Sequence, residues 1–246
     1  MKPPKELYHY HVRNLRVIDG AMRRVARACR GAISRADEPS VASFVPVYAL
    51  LLGAWGECRL RKLVYEPSGF DQTEREAILC KPSQLEQWQL AVELAFRKQY
   101  GIPKASLTND TLAHSAHSRY AELGDLLATD LRPVIELRNR LAHGQWAYPL
   151  NHAGDDVAVE HMRALRSENL LSLQYKKTLL GHLADAINDL VVSRPAFERD
   201  FDAHFRGIVA TRRDLVKRDY DGYAAGMRAK YLRGQQRHRL GASGPT

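Results

Sequence analysis

Residues 41–64 leave the chain few ways to fold. Read as a helix, they place Phe44, Val47, Tyr48, Leu51, Leu52, Trp55 and Cys58 almost all round its circumference. A helix with so little polar face has to be enclosed by other helices. Gly53 and Gly56 within it mark where a neighbour comes close. Neighbours are spelled out along the rest of the sequence. Leu15, Ile18, Met22, Val25, Cys29 and Ile33 recur at three- and four-residue steps, which predicts a first helix over residues 7–34. Its opposite face carries Arg13, Arg16, Arg23, Arg24, Arg27 and Arg30. Asp71 with Glu74, and Ser83 with Glu86, read as capping-box starts of two further helices. Gly101 and Pro103 close the second of them. Asn109 or Asp110 is expected to cap a helix over 110–128, and Asp130 another that accepts Pro133 in its first turn. Ser167 is read as the cap of the longest helix, with Leu179, Leu183, Ile187 and Leu190 on its buried face. Phe197, Phe201, Phe205 and Ile208 mark one more.

The expected fold is therefore all-α. A short β-hairpin interrupts it, where residues 146–150 and 157–160 flank a turn at 151–155 and Pro149 restricts the pairing to an edge. The expected helical domain spans 1–205, with its core in about 40–193. A basic helical extension follows over 206–246, its last stretch, 234–246, polar enough to be disordered.

Composition narrows the partners. No apolar run approaches the ~20 residues that span a bilayer, and the N-terminus lacks the apolar segment of a signal peptide. Cys29, Cys58 and Cys80 are odd in number and set among apolar neighbours, so they read as reduced packing residues in a cytoplasmic protein with no membrane association. The net charge of +9 favours an anionic partner such as nucleic acid. Residues 206–246 hold ten Lys or Arg against three Asp, which is +7 of that total. Arg212, Arg213 and Lys217 there are candidate substrate-binding cations, and Tyr220, Tyr223 and Tyr231 offer rings for stacking on bases. His114 with His117, and the group His152, Asp155, Asp156, Glu160 and His161, read as surface polar residues. No metal ligands and no cofactor are assigned.

The chemistry concentrates at the end of the helix that follows Asp130. On a helical wheel Val134, Leu137 and Leu141 form the buried arc. His143 points away from them, with Asn139 one turn and Glu136 two turns before it, and Arg138 lies at the edge of the arc. Histidine titrates near neutral pH and can take a proton from a ribose 2′-hydroxyl or give one to a leaving oxygen. Arginine offers a permanently charged fork to a phosphate in the transition state.

An arginine, a polar residue directly after it, and a histidine five positions on resemble the motif of the HEPN superfamily of all-helical nucleases. Here those residues are Arg138, Asn139 and His143. The resemblance implies a HEPN-like bundle and a metal-independent endoribonuclease. The 2′-oxygen attacks the adjacent phosphate and leaves a 2′,3′-cyclic phosphate, with His143 as acid or base, Arg138 as phosphate clamp and Asn139 as orienting partner. Arg140 is an extra cation on the substrate side. On one straight helix Arg138 and His143 lie about 140° apart, and the resemblance implies that a homodimer brings two motif helices to one cleft. It also implies a polar residue on the helix beside the motif helix, for which Glu57 is the candidate, although Arg61 at four-residue spacing is an ordinary partner for it. The wider family serves in phage defence, in toxin–antitoxin pairs and in RNA processing, so an antitoxin or defence-system partner is implied alongside RNA. A subtype carries a tyrosine two residues after the histidine, where this chain has Gln145. The competing reading is a non-catalytic helical dimer that binds nucleic acid or a protein.

Overall fold

The structure is a computed structural model and describes residues 2–151, 153–217 and 219–242. Its elements are α1 (Pro4–Ser34), α2 (Glu38–Val64), α3 (Gln72–Leu79), α4 (Gln84–Tyr100), α5 (His114–Leu126), α6 (Arg132–Ala142), α7 (Val159–Ser167), α8 (Leu170–Val192), α9 (Arg194–Lys217) and α10 (Tyr220–Ala242). The fold is all-α, with no strand among the described residues.

Helix α2 is the hub, as its all-round apolar surface requires. It packs against α1, α4, α6 and α8, and Leu52, Trp55, Leu60 and Leu63 are buried. By length and composition alone α2 could cross a membrane, contrary to the reading of its sequence. Here four helices take up its apolar faces. Both glycines serve close packing. A Cβ on Gly53 would stand 2.3 Å from the Cβ and 2.6 Å from the Cγ of Arg138, and one on Gly56 would meet Gln84 at 3.3 Å and Leu131 at 3.7 Å.

The local stop and start signals behave as expected at three sites. The Asp71 carboxylate accepts from the Glu74 N–H at 2.8 Å while the Asp71 N–H donates to the Glu74 side chain at 2.9 Å. Ser83 caps α4, and Gly101 ends it in the left-handed region at φ 68°. Elsewhere the boundaries differ. No side chain caps α5 at Asn109 or Asp110; it starts at His114 after a Thr108–Thr111 turn. Asp130 does not cap a new helix, because α5 and α6 are continuous through a π turn at Leu127–Leu131. Pro133 explains that turn. It has no N–H to give and its ring would strike the carbonyl four residues back, and a widened turn relieves both problems. The Arg132 N–H accordingly donates to the Leu127 carbonyl, five residues back.

The predicted hairpin shrinks to one antiparallel bridge, Leu150 with Val157. Residues from Val159 onward form α7 instead of a second strand. Pro149 supplies no donor, and the Asn151 side chain closes the turn on Gly154 at 2.7 Å, so few ladder bonds remain. Asn169, not Ser167, caps α8 through a reciprocal pair with Ser172, and the longest helix is α1. The boundary at 205/206 falls inside α9, whose Phe197, Phe201, Ile208 and Thr211 are buried. Helix α10 returns to α1 with Ala224 buried and continues through 234–242, where disorder was expected; 243–246 lie outside the described residues. Cys29 is buried, Cys58 half-buried and Cys80 exposed, so only the first two are packing residues.

These contacts predict opposite effects for like substitutions. Gly53→Ala should lower unfolding stability by about 1–2 kcal/mol, because overpacking against Arg138 exceeds the ~1 kcal/mol gain in helix propensity. Gly181→Ala, which meets nothing within 4 Å, should raise stability by about 0.5–1 kcal/mol. Ala36 sits in the left-handed region at φ 56° just after α1. Relief of that strain in Ala36→Gly should add about 0.5–1 kcal/mol. Urea denaturation of the three variants reads all three signs.

Candidate active site on helix α6

Helix α6 is fixed by Val134, Ile135 and Leu141, all buried. The Arg138 stem lies over Gly53 of α2, and its guanidinium runs back toward the start of α6, as helical side chains do. There it pairs with the Glu57 carboxylate and donates to Asn139 Oδ1 at 2.9 Å. Arg61 stands 4.0 Å from the same carboxylate. The main partner of Glu57 is thus an arginine 81 residues away, and the four-residue neighbour is secondary. With side-chain exposures of 27% and 37%, the Arg138–Glu57 pair is partly shielded from water.

His143 is the last residue of the α6 turn and is exposed. Its ring has no hydrogen-bond partner among the described residues. Hydrogen bonds hold the backbone beneath it. Gly144 takes φ +78°, its N–H donates to the Leu141 carbonyl at 3.1 Å, and the Gln145 N–H reaches the Arg140 carbonyl at 3.0 Å. These two bonds are the helix-ending arrangement that favours glycine. The Trp146 indole N–H then donates to the Leu141 carbonyl at 2.9 Å, holding that ring beside the helix end.

The other candidate residues are placed less directly. Arg140 donates to the Leu150 carbonyl at 2.8 Å and to Gln145 Oε1 at 3.3 Å, while the Leu150 N–H donates to the same oxygen at 3.2 Å. Arg140 and Gln145 therefore brace the loop after the motif. Arg212 pairs with Asp130 and reaches Thr129 at 3.2 Å, which ties α9 to the π turn. Asp130 is thirteen residues before His143, or about 20 Å along a helix, so Arg212 and His143 are not in one site. Arg213 faces Asp214 at 3.6 Å, and Lys217 is exposed. Arg138 and His143 leave the helix about 140° apart, and no described residue bridges them.

The sequence reading missed His11 and Asn14. Both line a cleft of about 380 Å3 with Glu57, Cys58, Arg61 and Tyr65. The His11 ring stacks on Tyr65 at 5.0 Å. Burial, with Arg61 adding to it, holds its pKa below the ordinary histidine value. Its spacing to Leu15, Ile18 and Met22 was the available signal, since it continues the buried face of α1. Among the described residues no group of three His, Cys, Asp or Glu side chains is arranged to hold a metal ion; His152 of the loop cluster lies outside them.

No family model, curated protein or solved structure matches this chain, so the reading of α6 rests on its own residues and their geometry.

Proposed function

We propose that this chain is a metal-independent endoribonuclease whose site is completed by a second copy of itself. The supporting observation is His143, an exposed imidazole with no partner among the described residues at a hydrogen-bonded helix end, five residues after an arginine held by Glu57 and Asn139. In the proposed reaction the ribose 2′-oxygen attacks the adjacent phosphorus and the P–O5′ bond breaks. The 2′-hydroxyl proton passes to a base, and the departing 5′-oxygen takes a proton from an acid. The products are a 2′,3′-cyclic phosphate and a 5′-hydroxyl. His143 serves one of the two proton transfers, and its counterpart across a twofold axis is placed to serve the other. Arg138 stabilises the negative charge that builds on the phosphoryl oxygens. Glu57 and Asn139 fix the plane of its guanidinium.

The twofold axis supplies what one copy lacks. Glu136, Asn139 and His143 are exposed on one side of α6, and a self-complementary polar stripe suits an isologous contact. One observation favours a second reading, a non-catalytic dimer that binds RNA or a protein: the Arg138 guanidinium is already engaged by Glu57. The two readings part on cleavage.

His143→Ala should reduce cleavage of an oligoribonucleotide at least ~100-fold, the usual worth of a positioned acid or base. Its thermal unfolding should be unchanged, because His143 is exposed. Cleavage should persist in excess EDTA. Full activity in the variant, or loss of activity with EDTA, defeats the assignment. Light scattering after size exclusion should give about twice the chain mass of 27.9 kDa at micromolar protein. Asn139→Asp should weaken both assembly and activity by setting like charges against each other across the axis. A monomer that cleaves RNA at full rate contradicts the composite site.

A further inference from the structure

The arginines of α1 form a row along one face of the helix. Arg13, Arg16, Arg23, Arg24 and Arg27 are exposed and Arg30 is half-buried. None forms an ion pair or a side-chain hydrogen bond with a described residue. Asp19, the one acid in this stretch, is taken by Lys177 of α8 at 3.3 Å. The six arginines fall within an arc of about 120° on the wheel and run for about 25 Å along the helix. The buried face of α1, with Leu15, Met22, Ala26, Cys29 and Ile33, lies opposite. By contrast, Arg212, Arg213 and Arg228 each have a carboxylate partner. Among the described helices α1 therefore carries the largest set of unpaired arginines.

Helix α10 lies against the end of this stripe. Ala224 is buried there, and Arg228 donates to the Ile33 carbonyl at 3.3 Å and pairs with Glu38. A groove of about 620 Å3 opens between the two helices, walled by Arg30, Tyr223, Met227, Lys230 and Tyr231. Arg233 and Arg237 are exposed beyond it. A row of free cations leading to tyrosine faces flanked by Arg30 and Lys230 matches the two demands of a single nucleic-acid strand, phosphate neutralisation and base stacking. A lipid surface would require a broad apolar face between the cations. Among the described residues Val17 and Leu232 are the large apolar side chains exposed on these two helices away from the N-terminus, apart from the groove tyrosine.

We propose that α1 and α10 together form a binding surface for single-stranded RNA, with the α1 arginines tracking phosphates and the Tyr223–Tyr231 groove receiving a base. The proposal rests on RNA as the substrate of α6, and it assigns the holding of that substrate to a part of the molecule separate from the residues that would cleave it.

The test uses the full-length chain and a fluorescein-labelled, mixed-sequence 20-nucleotide RNA over a salt series. The triple variant Arg16→Gln, Arg23→Gln, Arg27→Gln should bind about 10–100-fold more weakly, and its slope of log Kd against log salt should fall by about 2, since each lost single-strand phosphate contact removes about 0.7. All three positions are exposed and glutamine suits a helix, so circular dichroism should be unchanged. Tyr231→Ala should weaken binding several-fold with the salt slope retained. A triple variant with wild-type affinity and slope overturns the phosphate track, and an unaffected Tyr231→Ala overturns the base groove. Capture of the wild-type chain by phosphatidylserine vesicles with no binding to RNA overturns the proposal in favour of a membrane surface. Cleavage and binding fail separately. RNA held through α1 but never cut removes the nuclease reading and leaves this surface standing. Cleavage by the wild-type chain with undiminished binding by the triple variant removes this surface and leaves the nuclease reading.

Discussion

Close contact between α2 and α6 organises the molecule around Gly53. A helix as apolar as α2 must be enclosed, yet it carries Glu57, a carboxylate that needs a partner when half removed from water. The missing Cβ at Gly53 lets the Arg138 stem lie directly on α2, which brings its guanidinium back along the helix to that carboxylate. One small residue thus sets both the depth of packing and the partner of the only acid in the apolar part of the hub. A pair this exposed contributes roughly 1 kcal/mol or less by itself. Its larger effect is directional, because it fixes where the Arg138 charge can be presented.

A second constraint lies one helix segment earlier. Pro133 would break a regular helix, and the π turn at Leu127–Leu131 absorbs it without ending the helix. The turn also places Asp130 where Arg212 of α9 can pair with it. The start of α6 is therefore tied to α9, its middle to α2, and its end to the loop that Arg140 and Gln145 brace. His143, at the end of this segment, is exposed and has no side-chain partner among the described residues. A rigid support with a free imidazole at its end is the arrangement that positioned proton transfer requires.

Charge is divided along the same lines. Arginines that join elements have partners: Arg59 with Asp185, Arg119 with Asp202, Arg138 with Glu57, Arg212 with Asp130 and Arg228 with Glu38. Those on the outer face of α1 have none. In the C-terminal segment Arg212, Arg213 and Arg228 have carboxylate partners, whereas Lys217, Lys230, Arg233 and Arg237 have none among the described residues, so a count of charge by segment does not tell which cations are available.

Much of the architecture was legible in the sequence because it is decided locally. The buried faces of α1, α2, α6, α8 and α9 follow from apolar spacing, and the starts of α3 and α4 and the end of α4 follow from Asp71, Ser83 and Gly101, whose hydrogen bonds reach only a few residues. The outward direction of His143 and the edge position of Arg138 follow from 100° per residue. What spans distant segments was decided only by tertiary structure. Glu57 could be matched to Arg61 from sequence, but its 81-residue partner depends on how deeply two helices pack. The roles of Arg140 as a loop brace and Arg212 as a helix tie, the entry of His11 into the cleft beside Glu57, and the continuity of α5 with α6 have the same origin. Helix and cap signals act over one or two turns, whereas charge partners are chosen by which surfaces the folded chain brings together.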